Sequence, residues 1–326
     1  MKDTFGRTID YMRISITDRC NLRCTYCMPD GVKMLPMEDL LTYEEIVQVV
    51  SAAAELGITH YRVTGGEPLV RRGCPTLISM IKAVPQVESV TMTTNGILLK
   101  SFLPELLAAG LDSVNISLDT TDRDAYAALT GRDELEAVLT SVQEAVDAGL
   151  PVKINTVLLK GINDSAFKSL LTIPEKMPVN LRFIELMPIG HGADHAGVPG
   201  VWIRDQIEES YGPMTKDETR HGNGPAVYYR IPGFAGSIGF IDAVGDKFCE
   251  TCNRIRLTST GEVKSCLCYE DNVDLRPVLR SGDTKEETGK KVRELLTCAI
   301  KEKPKMHCFE DKEGVTETRE MGKIGG

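Results

Sequence analysis

The sequence predicts an α/β fold: a buried parallel sheet with helices packed outside it, left open between a flat sheet and one rolled into a barrel. Two observations predict it. Six extended apolar or alternating runs fall within the first 186 residues, and helical periodicities separate them. Crossovers of that length return the chain to a parallel neighbour rather than to a hairpin. In barrels built this way, chemistry sits where the strands end.

The extended runs lie at 11–16 (YMRISI), 59–63, 88–93, 112–117, 151–158 and 181–186. Helical patterns occupy 42–56, with Thr42 as cap and Gly57 as stop, then 75–83, 101–109, 135–148 and 164–177. After Met187 and Pro188 the pattern changes to a Gly-rich stretch, PIGHGADHAGVPG, and a helical WIRDQIEESY. Short strand-like pieces follow at 226–231 and 236–241, then a hairpin, RIRLTSTGEVKSCL, turning at Thr260 and Gly261. A charged helix near 284–302 and a polar tail complete the chain. The change of pattern sets a boundary near 190, dividing residues 1–190 from 191–326.

A chain of 326 residues buries roughly three quarters of its unfolded surface, so no metal is needed merely to fold. Hydrophobic residues at 42% and charged residues at 26% exclude disorder, collagen-like repeats and coiled coil. A net charge of -9 excludes a surface built to coat nucleic acid or an anionic membrane; an anionic ligand requires a local basic pocket. No apolar run is long enough to span a bilayer, and MKDTFGRTIDYMRIS lacks the apolar core of a secretory signal. Both point to the cytoplasm.

Ten cysteines in a reducing compartment need a reason other than disulfides, and six of them are clustered. Cys20, Cys24 and Cys27 form C-x3-C-x2-C beyond the first strand; Cys249, Cys252 and Cys266 form a second set. A structural zinc site closes with four protein ligands, whereas a 4Fe-4S cluster held by three leaves one iron open. For the second set Cys268 keeps a four-cysteine, zinc-ribbon-like site open as an alternative. Arg254 and Arg256 stand two apart on the hairpin strand and project to one face, where paired guanidiniums suit phosphate oxygens. Gly65 and Gly66 let the backbone approach a ligand, with Glu67 able to accept from an amine. Arg71 and Arg72 are equally readable as phosphate contacts or helix-start surface. Cys74, Cys298 and Cys308 read as spectators, and His191, His195 and His221 receive no role.

With Tyr26 before Cys27, the first cysteine loop resembles the signature of the radical S-adenosylmethionine superfamily. That resemblance implies an incomplete (βα)6 TIM-like barrel whose open iron chelates S-adenosylmethionine and cleaves it to a 5'-deoxyadenosyl radical. It assigns Tyr26, Gly66, Ser117 and Met187 to S-adenosylmethionine. Along nearly the whole chain, RISITDRCNLRCTYCMP, YRVTGGEPLVRR, TMTTNG, VNISLD, LLKGIND, RFIELMPIG and FCETCNRIRLTSTGEVKSCL resemble the GTP 3',8-cyclase family of molybdenum cofactor biosynthesis. The family usually has an aromatic or aliphatic residue at the position of Cys268.

This second resemblance implies a C-terminal domain with a second 4Fe-4S cluster on Cys249, Cys252 and Cys266, whose open iron binds guanine. It places Arg13, Arg62, Thr93, Lys160, Arg254, Ile255 and Arg256 on GTP, and sends the terminal Gly325 and Gly326 into the active site. The implied reaction removes hydrogen from ribose C3', joins C3' to guanine C8, and ends in 3',8-cyclo-7,8-dihydro-GTP. The implied partners are a low-potential electron donor and a downstream cyclic pyranopterin monophosphate synthase, with a homodimer left open.

Overall fold

In the computed structural model of this chain, residues 1–30, 34–245, 248–311 and 313–324 are described. Gly325 and Gly326 lie outside the described residues. Six strands fall on the six extended runs: β1 (Tyr11–Ser15), β2 (His60–Thr64), β3 (Ser89–Thr94), β4 (Ser113–Ser117), β5 (Val152–Thr156) and β6 (Asn180–Ile184). Strand β5 stops short of its predicted end because the Val157 N–H is taken by Asp119 Oδ1 at 2.8 Å. Helices α1 (Tyr43–Glu55), α2 (Cys74–Lys82), α3 (Leu99–Ala108), α4 (Arg123–Thr130), α5 (Leu135–Asp147) and α6 (Phe167–Lys176) form the crossovers.

Helix α1 starts where its sequence says it should. Thr42 Oγ1 accepts from Glu45 N at 3.1 Å and Glu45 Oε2 accepts from Thr42 N at 2.7 Å, a capping box worth about 1 kcal/mol. Its Ile46, Val49, Val50 and Ala53 face the core. Helix α4 is absent from the sequence reading, because a short helix burying only Tyr126, Leu129 and Thr130 leaves too narrow an apolar stripe to register. It begins where the Asp122 side chain accepts from Ala125 N at 2.8 Å.

The second half supplies α7 (Gly200–Tyr211), β7 (Thr215–Lys216), β8 (Val227–Arg230), β9 (Ile238–Ile241), β10 (Arg254–Leu257), β11 (Glu262–Lys264) and β12 (Val273–Asp274). Helices α8 (Arg276–Leu279) and α9 (Lys285–Lys301) follow. The predicted helices, strand pieces and antiparallel hairpin are all present here; β7, β12 and α8 are additions of two to four residues each. Among the described residues, all twelve strands belong to one sheet, ordered β12-β11-β10-β1-β2-β3-β4-β5-β6-β9-β8-β7. Strands β1 to β6 run parallel, and β10 and β9 extend the parallel set at either side. Helix α9 packs on α1, with Arg293 Nη1 2.7 Å from Glu55 Oε2.

Alternation along the strands separates two faces. Met12, Ile14, Tyr61, Val63, Val90, Met92, Val114, Ile116 and Ile154 are buried in the apolar core. The opposite face of the same strands carries Arg13, Arg62, Thr91, Thr93, Asn115, Lys153, Asn155 and Arg182, joined by register pairs. A sheet face this polar and this enclosed is where a ligand belongs.

Candidate active site

The loop after β1 holds the first three cysteines, and the backbone of neighbouring segments fixes its course. Cys27 N and Met28 N both donate to Cys24 O at 3.0 Å, while Arg23 N and Thr25 N donate to Thr130 O and Leu129 O at the end of α4. Gly66 makes the closest approach: its N–H donates to Thr17 O at 2.8 Å, and a Cβ there would lie 2.4 Å from Arg19 O. Only glycine fits. Glu67, expected to meet a ligand amine, is fully buried and turned inward instead. Its carboxylate accepts from Thr94 Oγ1 (2.8 Å), Asn95 N (2.6 Å) and Leu69 N (3.0 Å), and burial raises its pKa to about 7. Arg71 is likewise structural, donating to Ile16 O and Leu41 O.

Tyr26 Oη donates to Asp119 Oδ2 at 2.6 Å, tying the cysteine loop to the end of β4. Burial, then Asp119 and the two other thiols, pushes the Cys24 thiol well above its ordinary pKa; Cys27 is pushed up to about 12. Cys27 and Cys20 both oppose ionisation of Cys24, so a shared cation or cluster is what would make the three thiolates together.

The second set is assembled from a short turn and the hairpin. Cys252 N donates to Cys249 O at 3.2 Å, and Cys266 follows β11. The His307 N–H reaches Cys249 Sγ at 3.4 Å. Burial would raise the Cys252 thiol, but Lys303 and Arg254 outweigh it and hold the thiol at about 7. Lys303 is itself buried and donates to Arg254 O at 3.0 Å and to Ser265 O. Sequence reasoning missed it, for a lysine after a charged helix carries no mark of burial. Among the described residues, no three His, Cys, Asp or Glu side chains are drawn together tightly enough for a single metal ion.

Both cysteine sets line one cavity of about 330 Å³. Arg13, Tyr26, Gly66, Thr93, Ser117, Met187, Arg254 and Arg256 line it too, as does Gly322 near the end of the described chain. A second cavity of about 260 Å³ is lined by Arg62, Arg182, Lys216, Asp217, Arg220 and His221. His221, given no role by sequence, stands with Nε2 2.8 Å from Asp217 Oδ2. Ile255 is buried in the apolar core, on the face opposite its two arginine neighbours. Lys160 is exposed and lines neither cavity.

The cations form a row. Arg256, Arg13 and Arg62 are successive register partners on β10, β1 and β2. Burial first, and Arg256 next, lowers the Arg13 pKa well below its ordinary value; burial lowers Arg62 as well, with Arg182 and Arg254 adding to it. Lys153, on β5, is brought down to about 7 by burial, Arg182 and Arg62. Arg182 is buried, with Nε and Nη2 lacking a hydrogen-bond partner among the described residues. The sequence signal for Lys153 was a charge inside an otherwise uncharged strand run, VKINTVLL. Arg13 and Arg62 buried side by side are costly unless an anion completes them.

A parallel α/β sheet with a three-cysteine loop at its strand ends is the architecture of a radical S-adenosylmethionine protein, and the Radical SAM superfamily model matches residues 14–172. The family model Molybdenum Cofactor Synthesis C matches residues 179–309. GTP 3',8-cyclase from Clostridium perfringens (strain SM101) is 45% identical over 327 residues, covering all of both chains; that from Pelotomaculum thermopropionicum is 43% identical over 331, with the same coverage. The chain belongs to the GTP 3',8-cyclase family. In fold it is similar to Streptococcus suis SuiB, with a TM-score of 0.57 at 15% identity, covering 90% of this chain and 66% of that one.

Proposed function

We propose that this chain is a GTP 3',8-cyclase, converting GTP to 3',8-cyclo-7,8-dihydro-GTP with S-adenosylmethionine and two 4Fe-4S clusters, as the first step of molybdenum cofactor biosynthesis. The observation that carries the reading is the single cavity lined by both cysteine sets and flanked by the arginine row. Cys20, Cys24 and Cys27 would hold one cluster, and Cys249, Cys252 and Cys266 the other; each set presents three thiols and no fourth. Cys268 lies outside the cavity lining, which favours an open second cluster over a four-cysteine zinc site. Bound there, the first cluster and S-adenosylmethionine supply the radical chemistry. In this reading the sheet is an incomplete (βα)6 barrel over residues 1–190, and residues 191–326 form the module that closes its mouth.

The chain's own residues bind, orient and enclose. The Gly65–Gly66 backbone, Tyr26, Ser117 and Met187 line the S-adenosylmethionine side of the cavity. Arg13, Thr93, Arg254 and Arg256 face the nucleoside, and the triphosphate extends over Arg62, Lys153 and Arg182 toward the second cavity. Lys153 replaces Lys160 as the cation of β5 in this assignment. Guanidinium pairs would fix the ribose by gripping the phosphates, so C3' would be held toward the S-adenosylmethionine side of the cavity without rotational search. Enclosure protects a reactive intermediate from quenching. Gly325 and Gly326 would enter from the segment whose Gly322 already lines the cavity. A low-potential donor supplies electrons, and a cyclic pyranopterin monophosphate synthase takes the product.

The test is anaerobic. Reconstituted protein is mixed with S-adenosylmethionine, a strong reductant and GTP, and the products are separated by chromatography. Formation of 5'-deoxyadenosine together with a cyclised GTP product is expected. Formation of 5'-deoxyadenosine with GTP untouched would end the substrate assignment; neither product at full iron loading would end the enzymatic one.

A further inference from the structure

Behind the second cysteine set, outside the cavity, two further thiols meet. Cys268 Sγ lies 3.4 Å from Cys308 Sγ, and the Cys308 N–H points at Cys268 Sγ from 3.5 Å. Cys268 is fully buried and Cys308 half-buried, among Ile189, Leu267, Phe309 and Ile324. The sequence reading left Cys308 a spectator and Cys268 a candidate ligand; in the fold they are each other's neighbour.

The contact joins two segments that serve the site. Cys268 follows the hairpin, two residues beyond Cys266. Cys308 begins the segment that runs to Gly322, and its neighbour His307 contacts Cys249 Sγ. One backbone bond, Glu317 N to Cys268 O at 3.2 Å, also crosses this seam. The two sulfurs, already 3.4 Å apart, stand within about 1.5 Å of the ~2.05 Å of a disulfide bond.

We propose that Cys268 and Cys308 form a reversible disulfide that staples the C-terminal segment to the hairpin, with a small-molecule disulfide as the oxidant. Cys308, the more accessible thiol, loses its proton and attacks one sulfur of the oxidant, forming a mixed disulfide and releasing one thiol. Cys268 then attacks the Cys308 sulfur, forming the internal bond and releasing the second thiol. Two protein thiols are oxidised by two electrons, one external disulfide is reduced to two thiols, and the two protons pass to the leaving groups. The inference holds whatever the substrate of the cavity, because it uses neither cavity nor cluster ligands.

The experiment exposes the iron-loaded full chain, without oxygen, to oxidised glutathione, then denatures and alkylates it for peptide mass spectrometry. A Cys268–Cys308 cross-linked peptide that dithiothreitol abolishes is expected, with exposed Cys298 carrying glutathione as the internal control for oxidant reactivity. In Cys268→Ser, Cys308 should retain glutathione, since nothing resolves the mixed disulfide. Hydrogen exchange across residues 309–324 should slow at least tenfold in the oxidised wild type. The proposal is overturned if Cys298 is modified while Cys268 and Cys308 both remain alkylatable, or if Cys268 pairs instead with Cys266 and iron is lost. Exchange left unchanged by a formed cross-link overturns the staple. The wild-type measurements stand even where a variant fails to fold.

Discussion

Arg13 and Arg256 are register partners across the parallel ladder between β1 and β10, so two guanidiniums share one row of the sheet's polar face, with Arg62 next to Arg13 on its other side. Like charges in adjacent positions destabilise a sheet, and Arg13 Nε is buried without a hydrogen-bond partner among the described residues. In the proposed function, Arg13 and Arg62 are held in this row for the nucleotide at a cost to stability. Arg13→Met should therefore stabilise the ligand-free protein by about 1 kcal/mol while weakening GTP binding at least tenfold. Thermal melts and equilibrium binding check the two arms; unchanged affinity would mean that the row does not hold the substrate.

Lys153 gives the pH dependence. Burial, Arg182 and Arg62 hold its ammonium at about 7, below the ordinary lysine range. From about pH 7 to about 10.4 the unfolded chain binds this proton and the native one does not, so stability rises with pH across that window. Below pH 7 both states are protonated and the gain is lost. The melting temperature of wild type should climb relative to Lys153→Met between pH 6.5 and 9. At pH 8, binding of a polyphosphate should take up a proton, visible as a buffer-dependent enthalpy in calorimetry.

Gly66 tests how the cysteine loop is positioned. A Cβ at that residue meets Arg19 O at 2.4 Å and Asp18 O at 2.9 Å, all backbone. Gly66→Ala should cost about 1–3 kcal/mol by overpacking and displace the loop that leads to Cys20. The readout is iron retained by the first site and S-adenosylmethionine affinity, both expected to fall at least tenfold. Gly289→Ala on α9, where the nearest atom is the end of the Arg293 side chain at 3.6 Å, should instead stabilise by about 1 kcal/mol.

Metal analysis separates the two cysteine sets. Anaerobic reconstitution should give about eight irons per chain, falling to about four when Cys249, Cys252 and Cys266 are all replaced by alanine. Replacing Cys20, Cys24 and Cys27 should likewise leave about four, with S-adenosylmethionine cleavage abolished. About four irons plus one zinc in the wild type would refute the second cluster.

The six parallel strands were legible because each is a short apolar run between helical periodicities, and the two cysteine sets that line the cavity because their spacing is local. What sequence could not supply was register. Lys160 looked like a strand-end cation, yet the cations that β5 and β6 add to the enclosed surface are Lys153 and Arg182, which depend on neighbours across the ladder. Glu67 looked like a ligand contact for the same reason, since its donors Thr94 and Asn95 come from the next strand. Cys268 and Cys308 are distant in sequence, and no periodicity announces that they touch.

The pairing of β1 with β10 and of β6 with β9 also shapes how the chain comes into being. During synthesis, the first six strands leave the ribosome with both outer strands bare, because Tyr11 must await Arg254 and Leu181 must await Ile238. An unpaired strand edge is a template for any passing strand, and contacts that span most of the chain form slowly. The nascent protein is therefore most exposed to self-association after residue 184 and before residue 257, and the hairpin that brings Arg254 and Arg256 to the site is also the element that shuts one of those edges.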